Sequence, residues 1–353
     1  LPQVCILDGQ VLESDKLSST PNTRIRSGKE LFQATMPFAV ESIPRSWWQV
    51  GFTFFLLLGS LIGAGIAPWW PLRLFFALLG ALCTVRAFIT YHDHMHGALL
   101  PNSRIAKFIF KAYGMLALTP SRSWKKSHNY HHRHVGKVSS FSNGAFPLMT
   151  TKMWREASWA TRFSYRMERH PITVLTGYVT VFLFSVTMLP LFKEPSKHLD
   201  SLLSLAAHGA LITLLWVFGG FSLAFFSVLL PMAVASALGS YLFFAQHSFK
   251  DMNVMTQDKW SFYKAAMESS SYLRLNKLMQ WFTGNIGFHH IHHLNVRIPF
   301  YRLPEVMKAI PELQSPATTT LSPHSISDCF KCFLWDEDAH RMVTRREALM
   351  SAR

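Results

Sequence analysis

The chain has 353 residues, 49% of them apolar, and 35 lysines and arginines against 20 acidic residues give a formal net charge of +15. The apolar residues gather into long blocks with few charges. Blocks of about 18 or more such residues read as bilayer-crossing helices, which excludes an array of purely water-soluble domains. The four cysteines, Cys5, Cys83, Cys329 and Cys332, are too few and too scattered for a disulfide framework, and the lone CxxC at Cys329–Cys332 lacks the second pair that would complete a zinc site.

Residues 1–46 are polar and mixed in charge, with no charged-then-apolar pattern of a signal peptide. An apolar block from Trp47 to Pro68, a tight Pro68-Trp69-Trp70-Pro71 link and a second block from Leu72 to Tyr91 predict a transmembrane hairpin over 47–91. Both its outer ends lie on one side, and Arg86 is expected to snorkel to that side. Residues 92–170 form a cytosolic segment. Within it, 103–118 carry Arg104, Lys107 and Lys111 among Ile, Phe and Leu, the spacing of a helix lying on the membrane surface. From Arg104 to Arg169 thirteen basic residues face only Glu156 and Glu168. Between apolar blocks, such a stretch follows the positive-inside rule better than it marks a nucleic-acid site, and it suits anionic headgroups and an acidic partner.

Three apolar blocks follow in 171–247, at 171–192, 203–219 and 221–244. The histidine-rich segments flank them, so an even number must cross if those segments share a side. One solution makes 171–192 re-entrant and folds 203–244 into a hairpin at Gly219-Gly220. The other kinks one long helix at Gly219-Gly220 and Pro231 and lets 171–192 cross. Both give about four transmembrane helices. Residues 248–313 read as polar and mostly helical, and 314–353 as a C-terminal tail.

Three histidine clusters stand out: "YHDHMHG" with His92 and His96, "SHNYHHRH" with His128, His131 and His132, and "GFHHIHHL" with His289, His292 and His293. On a helix, positions i, i+3 and i+4 share a face, so each cluster aims two or three imidazoles one way, while His94, His134 and His290 fall off that face. With histidine at roughly one residue in twenty, an HxxHH arises by chance about once in 10⁴ positions, so two copies with an HxxxH are not accidental. His247, ending the last apolar block, is a ninth candidate. His170, His198, His208, His324 and His340 stand alone and read as ordinary hydrogen-bonding residues.

Neutral imidazole suits first-row metals, and the clustered rings exceed the four a single zinc takes. They are enough for two metals. Two irons with open positions can use O₂ to remove hydrogen from an unactivated C–H bond. Asp93 and Asn129, beside His92 and His128, are candidates for orienting the rings.

At these residues the chain resembles the membrane fatty acid desaturases, in their acyl-lipid branch. The resemblance spans most of 85–305 and rests on His92-Asp93-x-x-His96, "SRSWKKSHNYHH" at 121–132, "QHSF" at 246–249 and "GNIGFHHIHHL" at 284–294; the tail "LWDEDAHRMV" at 334–343 is similar too. The first box departs in carrying His94 as well. The resemblance implies an all-α integral membrane fold with two hairpins, re-entrant or interfacial helices and a cytosolic helical cap holding a di-metal site. It implies a non-haem di-iron centre on His92, His96, His128, His131, His132, His289, His292 and His293, with His247 in addition. It further implies O₂ as co-substrate, a fatty acyl lipid substrate, and a separate electron donor of ferredoxin or cytochrome b5 type. The setting would be a bacterial inner membrane or an endoplasmic-reticulum or plastid-type membrane. Asn285 is a candidate for contacting the metal through water. The rivals are a lipid hydroxylase on the same centre, distinguished by product mass, and a histidine-rich metal transporter, distinguished by exchangeable metal carried across vesicles.

Overall fold

A computed structural model describes residues 25–138 and 146–350, so the readings for Cys5 and for residues 1–24 lie outside the described residues. Among the described residues, helices α1 (Gly28–Thr35), α2 (Ile43–Ile66), α3 (Trp70–His96), α4 (Arg104–Leu116) and α5 (Ser121–His134) come first. α2 and α3 are long and apolar enough to cross a membrane. Each opens with a proline in its first turn, where the missing N–H leaves no bond unmade. They pack closely because glycine permits it: a Cβ on Gly63 would lie 2.9 Å from the Phe76 ring, and one on Gly80 would lie 2.8 Å from Leu61. Phe55, Leu58, Ile62 and Phe75 face outward, as lipid contact requires.

α3 runs beyond the apolar block to His96 and stops at Gly97, whose left-handed backbone (φ 72°) returns its N–H to the carbonyls of Asp93 and His94. Arg86 corrects the sequence reading. It does not snorkel; it is 2% exposed and turned towards α2. Its guanidinium donates to Gln49, Thr53 and the Trp281 carbonyl and lies 4.0 Å from the Trp281 ring centre. Partners on α2 and on the 277–282 helix satisfy the charge inside the protein, so it has no need of the interface.

α4 leaves Ile105 65% and Phe108 75% exposed, an apolar outer face on a helix too short to cross. The apolar helix Tyr178–Lys193 is also shorter than the roughly 20 residues a crossing takes. Much of it, Tyr178–Met188, is wound as a wider π-helix. The third candidate span, Leu199–Gln246, is 48 residues long, far more than one crossing. It breaks at Gly220, whose φ of 73° and ψ of 174° only glycine adopts readily. Its beginning is held at α4 and α5, where Ser204 donates to the Met115 carbonyl (2.7 Å) and Asp200 accepts the Arg122 N–H (2.9 Å). Past the break, Ser222 accepts from Arg73 (2.6 Å) and Ser227 donates to the Leu61 carbonyl (3.0 Å), beside the α2–α3 link. Its end returns to the third histidine segment, with Gln246 donating to the Ile286 carbonyl (2.8 Å).

Residues 248–313 are not mostly helical. Four short helices, Phe262–Glu268, Lys277–Phe282, His289–Leu294 and Leu303–Ala309, are joined by turns. Gly284 and Asn285 hold positive φ there, and Pro299 lies in the non-helical stretch before Phe300–Arg302. The tail is likewise built into the fold. Strand β1 (Tyr272–Leu273) pairs in parallel with β2 (Thr318–Thr319), and β3 (Leu334–Asp336) pairs antiparallel with β4 (Arg341–Val343). Trp335 is buried against Leu148, Phe249, Met252 and Met342. Buried Arg169 clamps this region by donating to the carbonyls of Pro147 and Cys332 (2.8 Å each). Cys83, Cys329 and Cys332 are free thiols.

Candidate metal centre

α3 ends in His92 and His96, α5 carries His128, His131 and His132, and the helix His289–Leu294 carries His289, His292 and His293. His247 is the residue on which Leu199–Gln246 ends. The structure brings all nine rings together in two groups. His92, His96, His128, His132 and His292 each put one nitrogen within 4.8 Å of the others, and so do His131, His247, His289 and His293.

In the four-histidine group the Nε2 atoms form a closed ring. Its edges are 3.0 Å (His131–His247), 2.9 Å (His247–His289), 3.1 Å (His289–His293) and 3.2 Å (His293–His131). A ring nitrogen of neutral imidazole offers one proton or one lone pair, so it cannot satisfy two such neighbours. A ring of these edges is therefore no hydrogen-bond network. It leaves about 2 Å from centre to nitrogen, the length of a metal–imidazole bond. The five-histidine group has comparable spacing, with His128 and His132 Nε2 3.0 Å apart and His132 and His292 Nε2 3.3 Å apart. His96 Nε2 has no hydrogen-bond partner there. Neither group contains a carboxylate. The residues fit two first-row metal ions.

Electrostatics keep the lone pairs free. Burial first, then repulsion from neighbouring rings, lowers His128, His132, His289, His292 and His293 well below the usual histidine range. Burial also pushes His247 down to about 4, against the opposing pull of the Ser269 carbonyl 3.0 Å from its Nδ1. Rings held neutral are rings able to ligate.

The surroundings sort the remaining candidates. Asp93 Oδ1 lies 2.9 Å from His92 Nδ1, and Asp93 Oδ2 accepts the Phe300 N–H at 2.7 Å. One buried carboxylate thus ties the first histidine segment to the chain just beyond the third. Asn129 is not brought in: its recorded bond is a backbone carbonyl accepting from Arg133 (3.2 Å). Asn285 turns to the Phe300 carbonyl (3.2 Å). The three histidines expected off the face are bonded elsewhere: His94 to the Leu99 carbonyl (2.9 Å), His134 to the Tyr130 carbonyl (2.8 Å) and His290 to the Leu313 carbonyl (3.2 Å). His208 bonds Tyr178 and the Leu116 carbonyl. The sequence reading missed Trp124, whose ring stacks on His128 at 4.5 Å and meets His92 edge-on at 5.7 Å. Its place one helical turn before His128 was the available signal.

The family model described as "Fatty acid desaturase" matches residues 68–322. A protein of Bacillus subtilis (strain 168) named "Fatty acid desaturase" is 30% identical over 331 residues, 93% of each chain. The "sn-1 acyl-lipid omega-3 desaturase (ferredoxin)" of a Synechocystis strain is 26% identical over 73% of each chain. The "Omega-3 fatty acid desaturase, chloroplastic" of Glycine max is 24% identical over 68% of this chain and 54% of its own. With its histidines gathered into two groups and the family model matching most of its length, this chain belongs to the fatty acid desaturase family of oxidoreductases.

Proposed function

We propose that this chain is an O₂-dependent acyl-lipid desaturase whose nine histidines hold two irons on the cytosolic face of a four-crossing membrane bundle. The carrying observation is the paired groups of converging, uncharged imidazole nitrogens, with no carboxylate among them. The out-and-back contacts of Leu199–Gln246 about Gly220 support a second hairpin, and Lys193 and Lys197 after a re-entrant Tyr178–Lys193 suit the cytosolic side. The relatives' names support a lipid-borne acyl chain.

A bound iron pair would supply O₂ activation and hydrogen removal from an unactivated C–H bond. The balance is one O₂, one –CH₂–CH₂– unit, two electrons and two protons giving –CH=CH– and two waters. Two electrons come from the acyl chain and two from an external carrier. The chain's own residues orient and exclude. Asp93 fixes the His92 tautomer with Nε2 free. Trp124 and Phe88, 5.7 Å apart, cover the membrane side of the five-histidine group and keep water from it. Phe88 also lines a small apolar cavity with Thr84, Val85, Phe182 and Gly239.

The test is lipid profiling of cells expressing the chain beside His132→Ala. Fatty acids lighter by two hydrogens in the first and absent in the second are expected. Products that gain an oxygen would make it a hydroxylase, and unchanged lipids with both chains loaded with iron would overturn the reading.

A further inference from the structure

Eight of the nine candidate ligands sit on helices that carry at least one more of them; His247 closes a helix that carries no other. Its ring must be held by what surrounds it. The Ser269 carbonyl lies 3.0 Å from Nδ1, which keeps the proton there and leaves Nε2 its lone pair for a metal. His289 and His293 of the same group have no partner for Nδ1. Ser269 is itself strapped. Its Oγ donates to the Asn253 carbonyl (2.7 Å) and its N–H to the Ala265 carbonyl (2.9 Å). Two residues past Asn253, the Met255 N–H donates to the Gly136 carbonyl (2.7 Å), and the Val138 N–H returns to the Met255 carbonyl (3.0 Å). The chain leaving α5 is thus laced to the segment that holds Ser269.

Where the two meet, Gly136 faces Ser269. A Cβ on Gly136 would overlap the Ser269 hydroxyl and lie 2.8 Å from the Ser269 Cβ. Ser269 is fully buried and bonded through both its hydroxyl and its N–H, so it cannot turn aside without moving its peptide. Gly136 also lines a small cavity together with His131 and His247, which puts it beside the same group. Its φ of 71° gives a second reason for glycine, a left-handed turn after α5. Asparagine meets that need too; the contact with Ser269 excludes it. We infer that Gly136 is a positioning residue for His247: its bare Cα lets Ser269 sit where its carbonyl holds the His247 ring in the four-histidine group. This rests on the two-metal reading given above and adds what places its lone ligand.

The full chain in nanodiscs is loaded anaerobically with Fe(II) and titrated with a graded series of chelators, and the Tm of the metal-free form is measured beside it. Gly136→Ala and Gly136→Asn should each weaken one of the two irons about 10–100-fold and leave the other unchanged. Ser269→Gly keeps the carbonyl but loses the bond to Asn253, so it should weaken the same iron only about threefold. Added to Gly136→Ala, it should restore that iron to the Ser269→Gly level, although the strain of a left-handed alanine still lowers Tm. Gly63→Ala, which crowds Phe76 in the α2–α3 hairpin, should lower Tm and leave both irons alone. In His247→Ala, Gly136→Ala should not alter the iron that remains. The inference falls if Gly136→Asn holds both irons as the wild type does, since glycine would then serve the turn alone. It falls too if both irons weaken together or if Ser269→Gly fails to rescue. If the Gly136 variants do not fold, Ser269→Gly decides, and two unaltered irons there would overturn it. A wild type that holds no iron pair sinks the reading of the site instead.

Discussion

The two histidine groups are built from the same motif used in opposite senses. The α5 segment gives its i, i+4 pair, His128 and His132, to the five-histidine group and its single i+3 ring, His131, to the other. The 289–294 helix reverses this, sending His289 and His293 to the four-histidine group and His292 to the five. On a helix the i and i+4 positions lie 40° apart while i+3 falls 60° to the other side, so one HxxHH can reach two points. The asymmetry comes from the remaining donors. α3 supplies a second i, i+4 pair, His92 and His96, whereas the other group receives only His247 from a helix end. One group has a nitrogen to spare and the other has none.

The largest expected effect follows from that difference. His247→Ala leaves three nitrogens and opens the ring of Nε2 atoms. Iron analysis of the purified variant should fall from two per chain to about one, with desaturation lost. His96→Ala leaves four nitrogens, so both irons should remain, with faster release to a chelator and partial activity. Equal loss in the two variants would show that the five-to-four division has no functional meaning. A step smaller is Asp93→Asn, which removes the charge and leaves one acceptor oxygen, so either His92 or the Phe300 N–H faces an amide NH₂ instead. Metal affinity should fall about 10–100-fold, and only in the five-histidine group. Competition with a graded series of chelators would detect it.

How much of this was written in the sequence depends on what each feature needed. The 47–91 hairpin was legible because apolar length alone decides it. The convergence of eight rings was legible because 3.6-residue periodicity aligns each cluster whatever lies outside the helix, while lone His247 was legible only as the end of an apolar block. Their division was not, since whether His131 faces His132's group or His289's is set by how α5 sits against the 289–294 helix. Arg86 was misread because its partners, Gln49 on α2 and the Trp281 carbonyl, are far away in the chain. The same holds for the 314–353 segment, where Trp335 finds its burial against Leu148 and Phe249. The 248–313 segment was overread as helix because its polar–apolar spacing carried no hint of the positive-φ turn at Gly284 and Asn285.

The smallest expected effect separates the rings of the two groups from a histidine in neither. Burial pushes His290 down to about 4, against the Leu313 carbonyl at its Nε2, and burial pushes His247 to the same level. In the unfolded chain both return to about 6.5. Between those values the unfolded state binds more protons, so each ring's neutrality destabilises the metal-free fold progressively as pH falls from about 6.5 to about 4; above that window the penalty is absent. The metal-free chain should therefore lose several degrees of Tm between pH 7.5 and pH 5. His290→Asn should remove part of that slope, because an amide can still donate to the Leu313 carbonyl without titrating. Iron should reverse the contribution of His247, since a coordinated nitrogen cannot take a proton without releasing the metal. With iron bound, the wild type should hold its Tm down to the pH at which iron is released, then fall abruptly, while His290→Asn shifts only the shallow portion above that point. If His290→Asn instead moves the pH of iron release, His290 acts on the metal groups and its separation from them is wrong.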